Sequence, residues 1–250
     1  MGRALRVSCL RGRTSDRTDG AGEGAEALAR LLDPAARVIG TASPGRPRGF
    51  EEDVVSSQPV LEAAAAELSA ALDQGELPVL TASDCTICIA TLPTAARRVP
   101  GLRIVWFDAH GDFNLPATTP SGFLGGMCLA AACGRWDAGW PDTIDPASVS
   151  FVGVRDLDPE ERVEAERAGV GTGIPDDGPV FVHLDLDVLD PSVLAPQYPV
   201  PGGMTAAELR EALAGLAAGG RLVGIEVTAL EDARGAGLVA EVLSPLLERD

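Results

Sequence analysis

The feature that most narrows the fold is a repeated unit: a short apolar run, a break into polar or acidic residues, then a longer Ala- and Leu-rich stretch. That alternation predicts βα units around a mostly parallel sheet, in an α/β fold with helices on its faces. Strands are expected at residues 5–10, 37–42, 77–82, 102–108, 148–154, 179–185 and 221–227. Helices are expected at 24–32, 53–72, 126–133, 159–168, 205–216 and 235–247. Nearly unbroken apolar runs such as RIVWF and VFVHL suit strands covered on both sides. In sheets of this kind the ligand site lies beyond the carboxyl ends of the strands, which directs attention to the acidic breaks. With 250 residues, 46% of them hydrophobic, the chain can bury a sizeable core, and a single domain over 1–250 is expected. TASPGRPRGF at 41–50 reads as an exposed loop, and GVGTG at 169–173 as a turn, because it lacks the glycine spacing of a phosphate loop.

Charge and cysteine usage limit the partners. Twenty basic against 37 acidic residues leave a formal charge of −17, which argues against nucleic acid and anionic membranes. No apolar run reaches the roughly 18 residues of a membrane helix, and the apolar stretch of MGRALRVSCLRGR is too short and interrupted for a signal peptide. A soluble cytoplasmic protein is expected. The five cysteines, Cys9, Cys85, Cys88, Cys128 and Cys133, are an odd number and do not suggest a disulfide framework.

The chain has only two histidines, and both sit in dense acidic clusters. In DAHGDFN at 108–114, Asp108, His110 and Asp112 occupy alternate positions after an apolar strand, so their side chains share one side while the chain stays extended. In HLDLDVLDP at 183–191, Asp185 and Asp187 do the same. Carboxylates gathered at a buried strand end repel and desolvate one another unless a cation neutralises them. Either cluster alone would read as a solvated turn, since Asp-Pro starts turns. Together they point to a divalent metal. His183, one pleat before Asp185, reads as a residue supporting a ligand or as a satisfied core histidine.

DAHGD at 108–112 followed by LDLDVLDP at 184–191 resembles the paired metal motifs of the ureohydrolase (arginase, agmatinase) family, and the likeness runs from about residue 77 to 227. The segments CT at 85–86, ATLP, DAHGDFN, ATT, GFLGGM, ACG and WD are similar to the N-hydroxy-L-arginine amidinohydrolase branch of that family. The resemblance implies a three-layer α/β/α fold with a mostly parallel sheet of about eight strands. It implies two divalent ions per chain, Mn²⁺ by family habit, with Asp108 and Asp185 bridging them. Asp112 and Cys85 would complete one site, His110 and Asp187 the other, and Asp187 would also hold the bridging hydroxide. Cys85 stands where most arginases carry histidine, which brings Zn²⁺ or Fe²⁺ into consideration, because soft sulfur favours them. Asn114 and Ser121 align with positions that hold an amino-acid carboxylate, and Asp158 with the one that meets the α-amino group. Asp158, just before Pro159, is equally a helix N-cap candidate. The implied reaction is hydrolysis of a C–N bond of a guanidine or N-hydroxyguanidine on an amino acid, with N-hydroxy-L-arginine giving L-ornithine and hydroxyurea as the specific case. A natural-product pathway and a homo-oligomer are implied by the same route.

Two departures stand against turnover. Gly125 replaces the histidine proton shuttle of arginases, a loss that the resemblance to the hydroxyarginine branch implies is tolerated, and Ala229 replaces the glutamate that meets the guanidinium, unless Glu226 or Glu231 substitutes. They keep open a non-catalytic binding protein of the same fold. CTIC at 85–88 leaves a C-x-x-C thiol redox protein as a third reading.

Overall fold

The structure, a computed structural model, describes residues 3–12, 14–45 and 49–247. Eight strands pair in parallel throughout: β1 (Leu5–Leu10), β2 (Arg37–Ile39), β3 (Leu77–Thr81), β4 (Arg103–Phe107), β5 (Val149–Val152), β6 (Gly171–Thr172), β7 (Val180–Asp185) and β8 (Leu222–Thr228). Their order across the sheet is β2-β1-β3-β8-β7-β4-β5-β6. The chain therefore leaves β3, skips the places later filled by β8 and β7, and resumes at β4. That break puts the carboxyl ends of β3, β8, β7 and β4 side by side, the crevice where α/β sheets bind ligands.

Side chains alternate along the central strands and divide the core in two. Val105, Phe107, Val180, Val182, Leu184, Ile225 and Val227 face one layer. Ile104, Trp106 and Phe181 face the other. The first layer is made by α1 (Gly20–Leu32), α6 (Ala206–Ala218) and α7 (Ala236–Leu247). The second is made by α2 (Phe50–Asp73), α3 (Cys88–Arg98) and α4 (Cys128–Ala132), with α5 (Pro159–Ala168) contributing Ala165. The expected three-layer α/β/α architecture is therefore present.

Local chemistry sets the element ends. At α6 the Glu208 N–H donates to Thr205 Oγ1 (3.2 Å) and the Thr205 N–H to Glu208 Oε2 (2.8 Å), a reciprocal cap that two orphan backbone donors require. At α5, Pro159 opens the first turn and Gly169, at φ 85°, closes the last in the left-handed region that glycine enters without strain. Two elements differ from expectation. The helix α3 was not anticipated, because Pro93 in its interior removes a donor; the 3₁₀ turn Cys85–Ile87 leads into it, and residues 88–95 are all buried. Within 169–173, Gly171–Thr172 pairs as a short edge strand beside β5. Of the Pro- and Gly-rich stretch 41–50, residues 46–48 lie outside the described residues.

Candidate active site

Four strand ends supply the site. Beyond β4 come Asp108, His110 and Asp112; Asp185 ends β7 and Asp187 follows it; after β3 comes Cys85; after β8, Ala229 and Glu231. All of them line one small cavity with Ser83, Asp84, Phe123, Gly125 and Tyr198. All six residues anticipated as metal ligands converge there. Asp108, Asp185, Asp187 and Cys85 are buried to within 6% exposure, and Asp112 is 8% exposed.

The contacts within the cluster show what it lacks. Asp108 accepts hydrogen bonds from Trp106 Nε1 (3.1 Å) and the His110 N–H (2.6 Å). Asp187 accepts one from the Ala109 N–H (2.9 Å), and its other oxygen lies 2.9 Å from His110 Nδ1. Asp185 accepts from the Asp187 N–H (2.8 Å) and the Cys85 thiol (2.9 Å). Asp112 adopts the left-handed conformation (φ 49°), and its Oδ2 faces the Cys128 sulfur at 3.6 Å. Among the described residues no arginine lines this cavity, and His110 is the one basic side chain facing its six carboxylates, Asp84, Asp108, Asp112, Asp185, Asp187 and Glu231.

The electrostatic result is strained protonation. Burial, then the charges of Asp187, Asp112 and Asp185, push the Asp108 carboxyl well above the ordinary range. Burial and Asp187 do the same to Asp185. Burial lifts Asp112 to about 8, against the opposing influence of His110. Burial lifts the Cys85 thiol further, with Asp185, Asp112 and Asp108 adding to it. For His110 burial works downward, yet its contacts with Asp108 and Asp187 prevail and hold the imidazole up at about 12. Burial likewise opposes ionisation of Asp187, but His110 outweighs it and holds that carboxyl low. A divalent cation would neutralise this cluster, and its oxygen-rich donors with one nitrogen and one sulfur fit such an ion. The groups Asp108–His110–Asp187 and Cys85–Asp108–His183 each bring three ligand atoms within 4.8 Å of one another.

Next to this cavity lies a wider recess of about 460 Å³, lined by Arg17, Asn114, Ser121, Phe123, Asp156, Asp158, Glu161 and Tyr198 and sharing His110 and Asp112 with it. The three residues anticipated as substrate contacts thus share one chamber. Asn114 Nδ2 donates to Asp158 Oδ2 (3.0 Å), and Asn114 Oδ1 is buried without a hydrogen-bond partner among the described residues. Asp158 is also the N-cap of α5, where its N–H donates to Glu161 Oε2 (3.0 Å), and it lines the recess while doing so. Ser121 is exposed at the rim and accepts from the Phe123 N–H (3.2 Å).

Several lining residues escaped the sequence reading. Tyr198 packs 5.5 Å from the Phe123 ring, and the Arg17 guanidinium sits 4.8 Å over that ring. These residues lie on loops remote in sequence, and only the status of Tyr198 as the sole tyrosine, within APQYPVP, marks one of them. The structure also explains the glycine at 125: a Cβ there would lie 2.5 Å from Phe123 Cε1, so the aromatic ring occupies the space a side chain would need. Ala229 holds φ 62°, and its N–H donates to Ser83 O (3.2 Å). Glu226 is fully buried against His183 and Thr91 and cannot take the place of a glutamate at 229, whereas Glu231 lines the cavity, held by Thr18 Oγ1 at 2.7 Å.

An all-parallel α/β/α sandwich with buried carboxylates gathered at its central strand ends has the form of a ureohydrolase. Residues 41–174 and 170–236 match the model of the arginase family, and the chain belongs to that family. It is 34% identical over 235 residues to an N(omega)-hydroxy-L-arginine amidinohydrolase of Streptomyces lavendulae, covering 88% of this chain and 86% of that one. It is 36% identical over 185 residues to the arginase of Bacillus caldovelox, covering 60% of this chain and 61% of that one. The crystal structure of arginase from Bacillus cereus superposes with a TM-score of 0.84 over 100% of this chain and 99% of its own, at 22% identity.

Proposed function

We propose that this chain is an amidinohydrolase that cleaves a C–N bond of a guanidine or N-hydroxyguanidine carried by an amino acid, with N-hydroxy-L-arginine as substrate and L-ornithine and hydroxyurea as products. The observation that carries this reading is the convergence of Cys85, Asp108, His110, Asp112, Asp185 and Asp187 on one buried cavity that opens beside a chamber with polar amino-acid contacts. The likeness to the S. lavendulae amidinohydrolase supports the hydroxylated substrate.

In this reading Asp108, Asp185, Cys85 and Asp112 would hold one divalent ion and Asp108, Asp185, His110 and Asp187 a second, Mn²⁺ by family habit. When bound, the ions supply a water acidic enough to act as nucleophile near neutral pH. The chain does the rest. Asn114, Ser121 and Asp158 hold the amino-acid end of the substrate in the wide chamber, so that the guanidine carbon points into the narrow one. Phe123 and Tyr198 wall the passage between them and exclude bulk water. Asp187, whose carboxylate lies 2.9 Å from His110 Nδ1, would hold the nucleophile's proton. Hydrolysis adds one water across the scissile bond: the nitrogen that stays with the ornithine side chain takes a proton, and the carbon keeps the oxygen as hydroxyurea.

The redox reading fares worse, because Cys85 and Cys88 are both buried and the Cys85 thiol is raised well above its ordinary range, whereas reactive redox thiols are accessible with depressed values. The decisive assay reconstitutes the protein with Mn²⁺ and follows release of ornithine from N-hydroxy-L-arginine and L-arginine, and of putrescine from agmatine. Asp108→Asn or Asp185→Asn should abolish turnover while the far-ultraviolet spectrum is unchanged. Retained activity in either variant overturns the site assignment.

A further inference from the structure

The register of the sheet aligns three side chains that an apolar layer would not normally hold. Trp106 of β4 is the partner of His183 of β7, and His183 is the partner of Glu226 of β8. All three are fully buried. The Trp106 ring stacks on the His183 ring at 3.6 Å and 3°, which fixes the plane of the imidazole. Glu226 Oε1 lies 2.6 Å from His183 Nδ1, and Glu226 Oε2 accepts from Thr91 Oγ1 at 2.5 Å. Opposite a carboxylate oxygen Nδ1 is the donor, and Nε2 faces the other way. It points up the strand at Cys85 Sγ, 3.2 Å away, its one hydrogen-bonding neighbour among the described residues.

A carboxylate behind one ring nitrogen, with the other nitrogen free and aimed at a thiol, is the arrangement that orients a metal-binding histidine. The distances agree. A tetrahedral ion with bonds of about 2.3 Å to sulfur and about 2.0 Å to nitrogen would hold those atoms roughly 3.5 Å apart. Nε2 and Sγ need move by only a few tenths of an ångström to reach that separation. A carboxylate oxygen of Asp108 falls within 4.8 Å of both, and Asp185 Oδ2 is 2.9 Å from the sulfur.

We infer that His183 is itself a metal ligand, and that Cys85, His183, Asp108 and Asp185 form a sulfur- and nitrogen-bearing position for a thiophilic ion, Zn²⁺ or Fe²⁺, deeper than the oxygen-rich position beside His110 and Asp187. This rests on the reading of the cluster as a metal centre, but puts His183 in place of Asp112 beside Cys85 and makes the centre one that binds two unlike ions. The donor sets separate them: thiolate and imidazole suit Zn²⁺ or Fe²⁺, while carboxylates and one imidazole accept Mn²⁺.

The test strips the protein with chelator, titrates it with Co²⁺ and records its absorption, then competes Zn²⁺ against Mn²⁺ and reads metal content by mass spectrometry. The parent should show a thiolate-to-cobalt charge-transfer band with strong visible bands of a four-coordinate ion, and should keep Zn²⁺ at one position under excess Mn²⁺. Cys85→Ser should remove the charge-transfer band. His183→Asn should keep it, weaken Co²⁺ binding at this position at least tenfold and shift the visible bands. Glu226→Gln, which preserves size and shape, should weaken binding about tenfold and carries the test should His183→Asn fail to fold. Loss of the band in Cys85→Ser with unchanged affinity and visible spectrum in the other two variants overturns His183 as a ligand and leaves the metal centre standing. A parent without a thiolate band, or Mn²⁺ filling both positions under competition, overturns the soft site. A parent that binds no Co²⁺ overturns this inference and the metal centre together.

Discussion

Asp112→Asn should stabilise the metal-free protein while damaging the metal site, and the size of the gain should depend on pH. The Asp112 carboxyl is lifted from 3.8 to about 8, chiefly by burial, with Glu161 and Asp187 adding to it and His110 opposing. Between those values the folded chain holds a proton that the unfolded chain has released. Stability is therefore fully present below about pH 4 and is lost as pH rises through the window, by up to about 1.4 kcal/mol per pH unit. At pH 7 the ceiling is roughly 4 kcal/mol, and relaxation around the buried charge reduces the expected loss to about 2 kcal/mol. Asparagine has no proton to lose and tolerates the left-handed backbone that residue 112 adopts (φ 49°). Thermal unfolding in chelator should place Asp112→Asn roughly 4–8 °C above the parent at pH 7.5, with little difference at pH 4.5. Saturating Mn²⁺ should reverse the order, because the parent gains the binding free energy of an ion that the variant holds poorly. A metal-free variant less stable than the parent at pH 7.5, or a gain that ignores pH, would refute the argument that these carboxylates are held together against their own repulsion.

Other outcomes follow from single residues. Ala229→Gly should stabilise the fold by about 0.5–1 kcal/mol, since φ 62° strains alanine and not glycine; an unchanged denaturation midpoint would contradict this. Ala229→Glu should raise affinity for L-arginine, read as a lower KM, and no change would mean the guanidinium end is met elsewhere, with Glu231 the nearest carboxylate in the cavity. Gly125→His should lose stability by about 1–3 kcal/mol from overlap with the Phe123 ring, and Phe123→Ala in the same chain should recover much of it. Asn114→Ala should raise KM for amino-acid substrates several-fold more than for agmatine, which lacks the carboxylate; equal effects would remove Asn114 from substrate recognition.

Much of this protein could be read from residue order alone, and the reason is periodicity. Unbroken apolar runs can only be strands covered on both sides, so the layered parallel sheet followed, and the positions where those runs turn acidic marked the site. Alternate spacing grouped Asp108, His110 and Asp112, and Asp185 with Asp187, before any coordinates, but the extended chain expected there ends early: Asp112 sits at φ 49° and Leu186–Val188 forms a 3₁₀ turn. The helix α3 was hidden because Pro93 contradicts local propensity, and packing of residues 88–95 between layers overrides it. Local sequence is equally silent about which strand lies beside which. Strands β4, β7 and β8 are separated by long stretches of chain, and their parallel register is set by packing of whole helices against the sheet. Only that register stacks Trp106 on His183 and brings Glu226 behind it. The same dependence governs Phe123 and Tyr198, which meet across the passage from distant loops. The sequence alone determined the layers, the strand ends and the kinds of ligand found there. The tertiary structure decided which buried polar groups face one another, because that depends on contacts that no run of neighbouring residues encodes.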